Sequence, residues 1–154
     1  MLLRKTGLPR SRRSGTVLVE SAFVYPVLFF LMIMIVLGAM MAFRYQLVAH
    51  LAREGSRYAA CHGAQYAAEN NTSAATPQDV YTNAIAPQAG GIGAKDLSYS
   101  VTWDSDNRQY RTAVVDDAVV NVANTVAVTV TCQWDTVVFG SITVSSTSVS
   151  TVFY

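Results

Sequence analysis

The sequence predicts an α+β chain: a long N-terminal helix, membrane-spanning first and amphipathic later, packed on a small antiparallel β-sheet. Three observations carry that prediction. An uncharged apolar run extends from Ser21 to Phe43. Past it, polar and apolar residues recur at helical spacing. Beyond Gly93 the period changes to two, the signature of strands with one wet face and one buried face. At 154 residues the chain has room for about one domain beside a membrane segment.

Residues 1–15 read as a basic leader, with Arg4, Lys5, Arg10, Arg12 and Arg13 and no acid. The formal net charge of +1 hides an acidic remainder, because every acid lies from Glu20 onward. Against those acids stand only Arg44, Arg53, Arg57, Lys95, Arg108 and Arg111. That balance argues against a nucleic-acid partner. The cationic cluster is instead a membrane-topology signal that holds the N-terminus in the cytoplasm.

Residues 16–43 form the transmembrane segment. Ala22 to Phe43 suffices, since about 20 apolar residues cross a bilayer at roughly 1.5 Å each. A secretory signal peptide fits less well. The run exceeds the usual h-region of about 7–15 residues, and Leu37-Gly38-Ala39-Met40-Met41-Ala42 offers no clean small-residue cleavage site. Glu20 is the anomaly. A carboxylate at mid-helix costs roughly 2.5–3.5 kcal/mol by insertion scales, so it needs either headgroup water at the membrane edge or a cationic partner. Cleavage between Gly15 and Thr16 creates such a partner, the new α-amine of Thr16. Gly15 lacks a Cβ and lies extended in a protease cleft at little steric cost. Pro26 removes one backbone donor and frees the carbonyl of Ala22. It marks either a kink in the helix or a tolerated membrane proline.

Residues 44–69 read as the amphipathic continuation. Gln46, His50, Arg53 and Arg57 form a polar stripe. Leu47, Leu51, Tyr58 and Cys61 form an apolar one, with Glu54 its only polar interruption. Glu54 and Arg57 stand three apart and pair for a few tenths of a kcal/mol. Gly55 weakens the helix by up to about 1 kcal/mol relative to alanine; it is either a site of close backbone approach or a tolerated defect. The pattern ends at Asn70-Asn71-Thr72-Ser73, giving a helix of about 50 residues, or about 75 Å.

Residues 70–154 form a strand-rich head packing on that helix. Thr76-Pro77-Gln78-Asp79 is a helix start with threonine as N-cap. Pro87 and Gly90-Gly91 keep this helix short. Leu97, Tyr99, Val101 and Trp103 alternate with polar residues, as do Val126, Val128, Val130, Cys132 and Trp134. The tail from Ile142 to Val152 is a third strand. Its apolar parity switches between Val144 and Val149, which points to a bulge or break. Ala113 to Val122 is a weak fourth strand, interrupted by Asp116-Asp117. Cys61 on the helix stripe and Cys132 on the apolar strand face fall on surfaces predicted to meet. A disulfide between them is the expectation outside the cytoplasm, against the alternative of two separately buried thiols.

The sequence offers no constellation for an enzyme and calls for no cofactor or metal. Cys61 and His62 are neighbours that point to different sides of a helix, not a nucleophile and its base. Neither His50 nor His62 has metal-ligand spacing. Asp104-Ser105-Asp106-Asn107 alternates oxygen ligands, but without the glycine and terminal glutamate of a calcium loop it reads as a polar hairpin turn.

Two blocks resemble the TadE-like pseudopilins of tight-adherence systems, within the type IV pilus superfamily. The first is Gly15-Thr16-Val17-Leu18-Val19-Glu20 running into Ala22-Phe23-Val24-Tyr25-Pro26. The second is Ala52-Arg53-Glu54-Gly55-Ser56-Arg57-Tyr58-Ala59. The resemblance implies a pilin-like fold and cutting between Gly15 and Thr16 by a membrane prepilin peptidase. It implies partners too: other pilin or pseudopilin subunits, an inner-membrane assembly platform with its secretion ATPase, and membrane lipid. Ser21 stands where major pilins of these systems carry tyrosine or phenylalanine, which favours a minor pseudopilin. The expected setting is a bacterial inner membrane with a periplasmic head, the mature subunit either entering an extracellular pilus or only priming its assembly. The alternatives are an uncleaved single-pass envelope protein with a partner-binding head, and a secreted domain released by signal peptidase.

Overall fold

The computed structural model describes residues 14–93, 95–136 and 140–153. The leader through Arg13 lies outside the described residues. The chain is α+β and divides into two compact units between Met41 and Ala42. That division falls within the first helix, α1 (Ser14–Cys61).

In the first unit, α1 is a bare apolar rod. Val17, Leu18, Phe23, Tyr25, Val27, Phe29, Phe30 and Ile35 are all exposed, and no described residue up to Met41 is buried. The helix continues through Pro26. It meets the length and composition needed to cross a membrane.

In the second unit the same helix has a buried face. Val48, Leu51, Ala52, Ser56, Ala59 and Ala60 are at most 1% exposed, a recurrence of three and four that marks one side of a helix. Two short helices follow, α2 (Ala64–Asn70) and α3 (Pro77–Val80). The expected helix through position 69 is thus interrupted. Gly63 is extended, and the backbone groups past Cys61 find partners elsewhere: the Ala64 amide donates to the Asn107 carbonyl, and the His62 carbonyl accepts from Ala75. Asn71, at φ 52°, closes α2 in the left-handed conformation.

The start of α3 follows the sequence signal. Thr76 and Asp79 form a reciprocal capping box with Pro77 in the first turn. Hydrogen bonds from the Thr76 hydroxyl and then its amide hold the Asp79 carboxyl below the ordinary aspartate range. The chain continues through a π turn (Tyr81–Ile85) and a 3₁₀ turn (Ala86–Gln88). Tyr81 stacks on Tyr99 at 4.6 Å, which ties this segment to the sheet.

Five strands follow: β1 (Leu97–Trp103), β2 (Tyr110–Val115), β3 (Ala118–Ala123), β4 (Thr125–Thr136) and β5 (Gly140–Thr151). The main sheet is antiparallel in the order β1-β4-β5, and β2 with β3 forms a separate hairpin. The weak fourth strand is therefore two strands. Asp116 and Asp117 both adopt positive φ, 50° and 63°, as the two central residues of a type I′ turn require. No bulge interrupts β5, whose register with β4 runs unbroken from Thr125↔Thr151 to Thr136↔Gly140. The parity switch is compositional: Val149 faces outward at 62% exposure, while Ser146, Ser148 and Ser150 take the half-buried positions.

The core forms where the second half of α1 lies on this sheet. Val126, Val128, Val130 and Cys132 of β4 meet the small helix residues, with Leu97, Val144, Val80 and Ile85 closing the sides. Asn124, fully buried, joins hairpin to sheet. Its side-chain amide donates to the Asp106 carbonyl and its side-chain oxygen accepts from the Thr125 amide at 3.1 Å. Its own backbone groups bond Gln109 and Val152.

Candidate functional site

Gly15 and Thr16 occupy the first turn of α1, and Glu20 follows Thr16 by four residues. Four residues is about one turn, so Thr16 and Glu20 share a helix face. Glu20 is exposed, and among the described residues before Arg44 it is the only charged one. No atom lies within 4 Å of a Cβ built on Gly15. Ser21 donates its hydroxyl to the Val17 carbonyl, satisfying that polar group inside the apolar run.

The block Arg53–Tyr58 belongs to the packed half of α1 and splits by face. Arg53 and Arg57 point to solvent, and Arg57 pairs with Glu54 at 3.6 Å. Gly55 turns inward. A Cβ there would stand 3.0 Å from Val128 Cγ1 and 3.4 Å from Ile85, so this glycine permits a close helix–sheet approach. Ser56 donates its hydroxyl to the Arg53 carbonyl at 3.0 Å, lies 2.9 Å from Ser148 Oγ, and accepts from Ser150 at 3.1 Å. The buried hydroxyls thus satisfy one another across the helix–sheet seam. Tyr58 stacks on His62 at 4.0 Å and accepts a hydrogen bond from Asn83. The motif holds the helix to the head.

The expected Cys61–Cys132 disulfide is not formed: both thiols are free, Cys61 exposed and Cys132 buried. The reason is position along the helix. Cys132 Sγ is 4.0 Å from Arg44 Nη1, while Cys61 lies near the other end of the strand, where Phe153 bonds the Ala60 carbonyl. Arg44 and Cys61 are about 17 residues apart, or roughly 25 Å of helix, far beyond the Cα separation of about 7 Å that a disulfide spans. Cys61 also faces away from the core, which is lined by Ala52, Gly55, Ser56 and Ala59 instead.

Sequence reasoning missed the cluster at that end of the sheet. The Arg44 guanidinium lies over the Trp134 ring, 4.8 Å from its centroid, a cation–π arrangement. The remaining polar candidates are internally engaged. His50 Nε2 is 2.7 Å from Gln88 Oε1, and His62 Nδ1 is 2.9 Å from the Tyr58 carbonyl. Asp104 pairs with Arg111 at 2.8 Å and Asp106 with Arg108 at 3.4 Å, so the 104–107 segment is a braced turn.

A helix apolar and exposed along its first part, and packed on a small antiparallel sheet along its second, makes this an α+β protein. Residues 15–57 match the family model described as TadE-like protein. The matched segment takes in Glu20, Pro26 and the Arg53–Arg57 block, and the head from Tyr58 onward lies outside the match. No curated protein and no solved structure matches the chain.

Proposed function

We propose that the chain is a minor pseudopilin, a structural subunit associated with a tight-adherence pilus and matured by a prepilin peptidase between Gly15 and Thr16. One observation carries the reading: a lone carboxylate, Glu20, on an otherwise bare apolar helix within a TadE-like segment. Mature Thr16 presents its amine about one turn from Glu20, on the same chain or a neighbouring one. That pairing converts a costly lipid-embedded acid into a register mark for stacked helices. The apolar side chains of Val17 to Phe43 then bundle with those of other subunits after release from lipid.

In this reading the N-terminus starts in the cytoplasm, the span sits in the inner membrane, and the head is periplasmic until assembly. The chain works as an assembly subunit and not as an enzyme. Its partners are the peptidase, other pilin or pseudopilin subunits, and the inner-membrane platform. Replacing Glu20 with leucine removes the register mark and improves the span. The Glu20→Leu protein is expected to insert normally but to be absent from sheared pili. Normal incorporation of that variant contradicts the register role.

A further inference from the structure

The apolar run ends at Phe43, and Arg44 is the first charged residue after it. Arg44 belongs to the head, where it is half-buried against the ring of Trp134 and the sulfur of Cys132. Trp134 pairs across the sheet with Ile142, and both are only partly covered. Tyr45, next to Arg44, is 57% exposed. Among the described residues Arg44 has no carboxylate partner, and Asp135, the chain neighbour of Trp134, alternates to the opposite face of β4.

Tryptophan, tyrosine and a cation at the end of a span are the composition of the water–lipid interface. Each has a physical reason to be there. The indole and phenol have apolar bodies with polar tips, and arginine packs its stem on apolar surface while its weakly hydrated fork reaches phosphate. We infer that this end of the sheet is a lipid-contacting face. Trp134, Ile142 and Tyr45 lie among the headgroups of the bilayer that holds the span, with Arg44 on lipid phosphate. The occupant follows from connectivity, because Arg44 lies about 3.8 Å, Cα to Cα, from the last residue of the apolar run, and Trp134 is held by Arg44. The inference rests on the reading that residues 16–43 span a membrane.

The chain supplies its own control. It has two tryptophans, and Trp103 pairs with Val126, roughly 27 Å up β4 from Trp134. The test reconstitutes the full chain into vesicles of phosphatidylcholine and phosphatidylglycerol. Trp103→Phe leaves Trp134 as the fluorophore, and Trp134→Phe leaves Trp103. A lipid spin-labelled near the headgroup is expected to quench most of the Trp134 emission, a chain-end label to quench less, and Trp103 to be unaffected by either. Fluorotryptophan in the unsubstituted chain, read by fluorine relaxation from the same labels, repeats the comparison without either substitution. Protein that floats with the vesicles while Trp134 is quenched no more than Trp103 overturns the inference alone. Protein that does not float overturns the spanning reading and the inference with it.

Discussion

Alanine at position 55 tests the close seam between helix and sheet. Its methyl would stand 3.0 Å from Val128 Cγ1, whereas carbon atoms are best separated by about 3.5–4.0 Å. Val128 must therefore retreat by roughly half an ångström. It is fully buried in the central strand and, being β-branched, is stiff at χ1. Overpacking of this kind costs about 1–3 kcal/mol, and exchanging glycine for alanine in a helix returns roughly 1 kcal/mol. The expected net loss for Gly55→Ala is about 1 kcal/mol. Val128→Ala alone is expected to cost about 2 kcal/mol from two lost methyl groups and the space they leave. With that methyl absent, Gly55→Ala changes sign and stabilises by about 1 kcal/mol. The cycle thus predicts a coupling of about 2 kcal/mol, within the range for residues in contact. Thermal unfolding of the four full-length proteins in non-ionic detergent, followed by circular dichroism, measures it. Zero coupling, or stabilisation by alanine in both backgrounds, refutes the argument that Gly55 is required for close approach.

Two further outcomes follow from the head. Asn124→Ala leaves the Thr125 amide and the Asp106 carbonyl without their side-chain partner and is expected to cost about 1–2 kcal/mol; amide exchange then accelerates first in the hairpin at residues 110–123, and unchanged protection there contradicts the bridging role. In folded protein, Cys61 reacts with a maleimide and Cys132 only after unfolding. Equal reactivity of the two, or of neither until reduction, is incompatible with the helix register described above.

Much of the head was legible because alternation reports a strand with one buried face. Leu97 to Trp103 and Val126 to Trp134 are strands as their period demands, and Thr76, Pro77 and Asp79 announce their capping box. What escaped has physical causes. Beside Val48 and Leu51, the buried side of α1 is made of Ala52, Gly55, Ser56, Ala59 and Ala60, residues that hydropathy scores weakly but close approach favours. Of the apolar stripe through Leu47, Leu51, Tyr58 and Cys61, Leu51 lies in the core, Leu47 and Tyr58 border it, and Cys61 is exposed. Periodicity also gives a residue's face and not its height along the axis, so Cys61 and Cys132 were matched across opposite ends of one seam. The turn at Asp116-Asp117 lacks the glycine that usually announces it, which merged β2 and β3 into one weak segment. In β5, serines occupy the half-buried row and Val149 points out, so polarity there misreported direction. Gly63 ended α1 inside an alanine-rich stretch that otherwise continues a helical pattern.

For the apolar half of α1, Glu20 and the uncharged run are plain in the sequence, since a lone charge beside some twenty uncharged residues is a composition signal. The Arg44–Trp134 contact was not, because it joins residues far apart in the chain through the register of β4 against α1.

The account turns on whether Glu20 gains a positive chain terminus beside it. Mass spectrometry of the protein extracted from its native cell envelope, with sequencing of the first residues, measures that directly. A chain beginning at Thr16 is the predicted result, and a population that retains residues 1–15 throughout contradicts it.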